Sequence, residues 1–143
     1  MLLYLVKQVE LAVRAHLDEL LRPDGLTALQ YTALTVLERH PDMSVSQLAR
    51  NSFVTAQSMA DMIAALDARG LIERHRDQID RRRLAIALSP AGQALLDRYR
   101  NPVAELESRM LQGITRPQTT ALRRALTACH ANLAPGQSHR IDR

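Results

Sequence analysis

Residues 44–89 read SVSQLARNSFVTAQSMADMIAALDARGLIERHRDQIDRRRLAIALS, and the reading of this stretch decides the fold. Ser44 followed three residues later by Gln47 is a capping box: the hydroxyl serves an orphan amide and the glutamine reaches back. It opens a short helix to about Arg50, with Leu48 and Ala49 turned inward. Asn51 and Ser52 make a turn. Thr55 then caps a second helix to about Arg69, with Met59, Met62, Ile63 and Leu66 as its inward stripe. Ala56, Gln57, Ser58 and Asp61 are left on the outward face. Gly70 follows as a residue able to take positive φ. Two apolar runs, 71–74 and 84–88, read as half-buried strands, with Ile72, Leu84, Ile86 and Leu88 alternating with polar or small residues. Two helices joined by a tight turn and followed by a basic hairpin make a winged helix-turn-helix. Its second helix suits a DNA major groove, and its hairpin suits the backbone or minor groove.

The charge pattern agrees. Residues 69–83 hold Arg69, Arg74, Arg76, Arg81, Arg82 and Arg83 against Glu73, Asp77 and Asp80, so three of the chain's four net positive charges lie on the hairpin. A sequence pI of about 10.0 favours polyanionic partners. Basic charge comes as eighteen arginines and the single lysine Lys7. Arginine suits bidentate contacts to phosphate and guanine, although coding bias produces the same excess. Asp80 amid the arginines is expected to hydrogen-bond Arg82 and hold its guanidinium extended toward a minor groove.

Outward from this centre the chain reads as helices. Leu2, Val6, Val9, Val13, Leu17 and Leu20 give residues 2–21 an apolar stripe, stopped by Arg22-Pro23-Asp24-Gly25. Thr27 and Gln30 form a capping box for a helix that buries Leu29, Ala33, Val36 and Leu37 and ends at His40-Pro41-Asp42. Ser89-Pro90 opens a fifth helix, in which Pro102 predicts a kink. Gly113 ends that helix, and Thr115 with Gln118 caps a sixth, marked by Leu122, Ala125, Leu126, Cys129 and Leu133. Pro135-Gly136 and the tail to Arg143 are expected to fray. The fold class is therefore mainly α with a small β-hairpin wing. Residues 1–143 make one domain, with a DNA-binding lobe at 27–89 and a helical dimerisation lobe from 2–21 and 103–133. The first and last helices have apolar stripes and no role on DNA, so a second copy is expected to cover them.

Other chemistry is weaker. Aromatic residues are only 3% of the chain, too few for stacking on single-stranded nucleic acid. One cysteine, Cys129, excludes an internal disulfide. His16, His40, His75, His130 and His139 do not form a spaced ligand set, so no metal and no cofactor are expected. No Gly-rich phosphate loop or catalytic spacing appears, so no enzyme activity is expected. Lys7, Glu10 and Arg14 break the opening apolar run too early for a membrane span, and a soluble, cytoplasmic protein is expected. The rival reading is a winged-helix module that docks a protein partner and meets DNA only incidentally.

Nearly the whole chain resembles the MarR family of bacterial transcription regulators. Asp77-Gln78-Ile79-Asp80-Arg81-Arg82 followed by Leu88-Ser89-Pro90-Ala91-Gly92 resembles that family's D-x-x-D-R-R wing and the L-T/S-x-x-G after it. Leu66-Asp67-Ala68-Arg69-Gly70-Leu71-Ile72 resembles the L-E-x-x-G-L-V that ends its recognition helix. The resemblance implies a triangular homodimer, most simply a ligand-responsive repressor on a pseudo-palindromic double-stranded operator. It places Thr55, Gln57 and Ser58 at base edges, Ser44 at a phosphate, and Asp80 and Arg82 on the wing, with Arg74, Arg76 and Arg81 beside them. Asp61 departs from the pattern, because many members carry arginine or another groove-compatible residue there. An acid facing duplex DNA is repelled unless it accepts from a cytosine amino group. The resemblance also implies a pocket for a small aromatic or lipophilic effector, to which Lys7, Arg14, His16 and Tyr31 would contribute. Some members sense peroxide through a cysteine in the first helix; this first helix has none.

Overall fold

A computed structural model describes residues 1–52 and 54–134. In chain order the elements are α1 (Leu2–Leu21), a single 3-10 turn (Arg22–Asp24), α2 (Ala28–Arg39), β1 (Met43–Ser44), α3 (Val45–Asn51), α4 (Ala56–Ala68), β2 (Ile72–Arg76), β3 (Leu84–Leu88), α5 (Pro90–Met110) and α6 (Arg116–Leu133). Three of the helices begin where i, i+3 chemistry fixes them. The boxes Thr27/Gln30, Ser44/Gln47 and Thr115/Gln118 are all closed in both directions. Gly25, Gly70 and Gly113 end the preceding turns at positive φ. α5 runs through Pro102 from Pro90 to Met110. The frayed tail expected at 135–143 lies outside the described residues.

The described residues divide into two compact units, Met1–Leu106 and a second one beginning at Glu107. The core of the first unit is built from Leu21, Leu34 and Leu37, Leu48 of α3, Met59, Ile63 and Leu66 of α4, Ile86 of β3, and Leu95, Leu96 and Tyr99 of α5. Burying such side chains contributes roughly 1.5–3 kcal/mol each, and this is what seats α3 and α4 on the rest of the unit. Leu29 does not belong to the buried face of α2. It is 43% exposed, while Ala28, Tyr31 and Leu34 are buried instead, because the helix turns its 28–31–34 row inward.

The hairpin is part of a three-stranded antiparallel sheet in the order β1-β3-β2. Met43 pairs with Ile86 and Ser44 with Ala85, while Ile72 to Arg76 pair with Leu88 to Leu84. β2 thus starts one residue later and runs two further than the expected 71–74. The middle position of β3 explains its departure from alternation. Ala85 lies between Ser44 and His75 and is buried, whereas Leu84 at the strand's outer end is exposed.

Polar contacts fasten α2 to α5. Glu38 Oε2 accepts from Gln93 Nε2 at 2.7 Å and from Arg100 at 3.0 Å. The Gln93 hydrogen bond first, then the Arg100 guanidinium, hold the Glu38 carboxyl below its ordinary range. A carboxyl with a depressed folded pKa stabilises the fold above its unfolded pKa, and that contribution disappears as pH falls through the folded value. Urea titrations from neutral pH down to the acid limb should therefore show Glu38→Gln losing less stability than the parent on acidification. Equal acid sensitivity of the two proteins would remove Glu38 from this role.

In the second unit, Met110, Leu111, Leu122 and Leu126 line a shallow apolar groove. No residue of α6 is buried, and Leu122, Leu126 and Leu133 are exposed. α1 is likewise apolar and uncovered at Leu2, Leu3, Tyr4, Leu5, Val6, Val9 and Leu11. No described helix is long and apolar enough to cross a membrane.

Candidate nucleic-acid interface

α4 presents its polar face because its apolar stripe is spent on the core. Thr55 caps it, accepting from the Ser58 amide at 3.1 Å, and the two hydroxyls lie 3.0 Å apart. Thr55, Ala56, Gln57, Ser58 and Asp61 are all exposed. Gln57 Nε2 donates to Asp61 Oδ1 at 3.0 Å. This contact changes the meaning of the acid: Asp61 is engaged with its neighbour one turn away and orients that amide.

The wing is internally braced. Asp77 Oδ1 accepts the Ile79 amide at 2.8 Å, and Asp80 Oδ1 accepts the Arg82 amide at 3.1 Å. Asp80 therefore shapes the turn through the backbone and does not hold the Arg82 guanidinium, as the sequence had suggested. A two-residue reach to an amide is the ordinary behaviour of aspartate in a turn. Arg76 donates to the Arg81 carbonyl at 3.1 Å, and Arg74 lies 3.2 Å from Asp67 at the end of α4. These two arginines tie the wing together and to the helix. Among the described residues, the guanidinium groups of Arg50, Arg81 and Arg82 have no hydrogen-bond or ion-pair partner.

Sequence reasoning gave no contact to two members of this surface, although it counted Arg83 in the hairpin's charge. Arg83 donates to Ser44 Oγ at 2.9 Å, so the hydroxyl that caps α3 also receives the base of the wing. Arg50, in the last turn of α3, lines a depression with Ser44, Val45, Ser46, Arg82, Arg83 and Leu84. No local pattern announces either residue. Arg83 is the third of three arginines, and only the β1–β3 pairing brings it to Ser44. His75 Nε2 also lies 2.6 Å from Asp42 Oδ1, joining β2 to the residue before β1 across the central strand.

The four residues assigned to an effector pocket stand in different surroundings. Tyr31 is in the core, 8% exposed, edge-on to Tyr99 with ring centroids 6.5 Å apart. Burial pushes its phenol up. Lys7 and His16 are exposed on α1, while Lys7 and Arg14 both bind Glu10. Among the described residues, no group of three or more His, Cys, Asp or Glu could hold a metal ion, and Cys129 is exposed. His139 lies outside the described residues.

A model of the MarR family matches residues 24–83, the stretch from the 3-10 turn to the end of the wing. An HTH-type transcriptional repressor of Mycobacterium tuberculosis is 31% identical over 86% of this chain and 88% of its own length. The chain belongs to the MarR family. A crystal structure of a MarR-family transcriptional regulator from Silicibacter pomeroyi is 26% identical, with a TM-score of 0.82, over 94% of this chain and 91% of that one. A Bordetella bronchiseptica structure, BpsR, whose DNA binding is described as regulated by 6-hydroxynicotinic acid, shares the fold. It is 20% identical with a TM-score of 0.77, over 90% of this chain and 92% of that one. As a MarR-family protein the chain is a DNA-binding transcriptional regulator with the winged-helix fold of that family.

Proposed function

We propose that this MarR-family regulator is a repressor acting as a homodimer on a pseudo-palindromic duplex, with residues 27–89 as its DNA-binding lobe. The observation that carries the reading is the pairing pattern of the interface. Asp61, Asp77 and Asp80 are occupied within the protein, while among the described residues the guanidinium groups of Arg50, Arg81 and Arg82 stand unpaired beside an exposed α4 face. Ser44, Thr55, Gln57, Ser58 and Asp61 would meet the major groove and its phosphates. Arg81 and Arg82 would meet the minor groove and backbone, with Asp80, Arg74 and Arg76 shaping the wing. Gln57 has one amide hydrogen taken by Asp61, which leaves its carbonyl oxygen and remaining N–H for base edges. The uncovered apolar faces of α1 (within 2–21) and of 103–133 support a second copy as their partner. The reading includes no catalytic step, no cofactor and a cytoplasmic site of action.

A small aromatic or lipophilic acid is the proposed effector. The control of BpsR by 6-hydroxynicotinic acid supports that class. Lys7, His16 and an Arg14 released from Glu10 would supply its cationic wall, with Tyr31 behind them.

Selection of bound duplexes from random-sequence DNA tests the whole reading. The expected result is an inverted repeat whose halves lie about one helical turn, roughly 34 Å, apart, bound by two chains. Gln57→Ala should return a different base preference at one position of each half-site. Recovery of no sequence, or of a single half-site bound by one chain, would favour the protein-docking module instead.

A further inference from the structure

Ile79 stands at the apex of the wing, 98% exposed. Every other residue from Arg74 to Arg83 carries a charged or polar side chain. The turn that holds it is closely made. Besides the two aspartate caps, the Asp77 amide donates to the Arg83 carbonyl and the Arg83 amide to the Asp80 carbonyl, both at 3.0 Å. Both acids of the tip are thus employed in fixing the backbone beneath one apolar side chain. Being β-branched, that side chain is itself restricted at χ1. A single exposed isoleucine on an ordinary surface needs no explanation. This one shares its turn with Arg81 and Arg82, whose guanidinium groups have no partner among the described residues and are what a duplex would be drawn to.

We propose that Ile79 is an apolar wedge that enters the minor groove, packs against sugar and base edges, and loosens the base step beneath it. The inference rests on the wing reading given above. Arginine attraction brings the tip to the groove without regard to sequence, and a wedge adds a preference. Pyrimidine–purine steps unstack most cheaply, so the wing would favour them without any hydrogen bond to a base. The electrostatic and deformability parts of recognition then fall to neighbouring residues of one turn.

The probe is the duplex that the parent protein selects from random DNA, with 2-aminopurine placed in turn along the tract that the wing protects. The parent should raise the fluorescence at one or two positions. Ile79→Ser should bind about five- to tenfold more weakly, the loss expected when an apolar side chain that is only partly buried is left out of the groove. It should abolish the fluorescence rise and leave the salt slope unchanged, since no charge is removed. Ile79→Leu should retain affinity and rise. A parent complex with no rise at any position overturns the wedge, as does an Ile79→Ser variant that keeps the parent's affinity. Arg82→Ala run on the same duplex separates the two levels. If Arg82 is needed and Ile79 is not, only the wedge fails; if neither is needed, the wing reading fails with it.

Discussion

Gly92→Ala should melt roughly 10 °C below the parent, a loss of about 3 kcal/mol. The first turn of α5 lies against the chain segment between α4 and β2. A Cβ built on Gly92 would lie 2.1 Å from the Leu71 carbonyl oxygen and 3.1 Å from both the Leu71 carbonyl carbon and Leu88 Cδ2. The nearest obstacle is backbone, which cannot rotate away. That carbonyl is also held in place, because it accepts the Ser89 amide at 3.1 Å. Ser89 adds a second tie, its hydroxyl accepting the Gly92 amide at 3.1 Å and donating to the Gly70 carbonyl. Relief of the clash must therefore push α5 off the root of the wing. Gly70→Ala is the matched control. Gly70 has φ +70 but nothing within 4 Å of the added atom, so the cost is only the conformational strain of about 1 kcal/mol. Thermal unfolding of the two variants at equal protein concentration checks the order. If Gly70→Ala proves the worse of the two, the close approach at Gly92 is not what it appears on distance alone.

Arg82→Ala should reduce affinity for the selected duplex by about tenfold or more, at every base sequence alike, and flatten the salt dependence by about one unit for each protomer. No neighbour of Arg82 combines all three of its properties. Its amide is pinned by Asp80, its guanidinium has no partner among the described residues, and it lines the depression that also holds Ser44, Arg50 and Arg83. Arg74, already 3.2 Å from Asp67, has an acid to leave before it could serve a phosphate, so Arg74→Ala should cost less DNA affinity. Fluorescence anisotropy across a range of salt concentrations measures both. An Arg82→Ala variant with the parent's slope would move the proposed phosphate contact elsewhere.

The parts of the fold legible in the sequence are those decided within one turn of chain. The three capping boxes, the Thr55 cap and the positive-φ Gly70 depend on residues three or four apart, and the structure has them where the spacing placed them. β1 was invisible because two residues have no period, and its pairing partner lies over forty residues on. Leu29 was misassigned because Ala28 and Leu34 offered a second row of equal hydrophobicity, and only packing chooses between rows. At the interface, residue types pointed to α4 and the hairpin. The partners of Arg74, Arg83 and Asp61 follow from tertiary placement or rotamer, which no spacing reports.

The Arg83–Ser44 hydrogen bond and the pairing of β1 with β3 tie the hairpin to the start of the helix pair. Neither part can shift along a duplex alone. On the proposed reading, such a reader would work as a rigid caliper, sensitive to the distance and twist between the two grooves it would touch. Operator variants with every contacted base intact but an altered winding between those points would be refused, so the geometry of the unread spacer becomes part of the address.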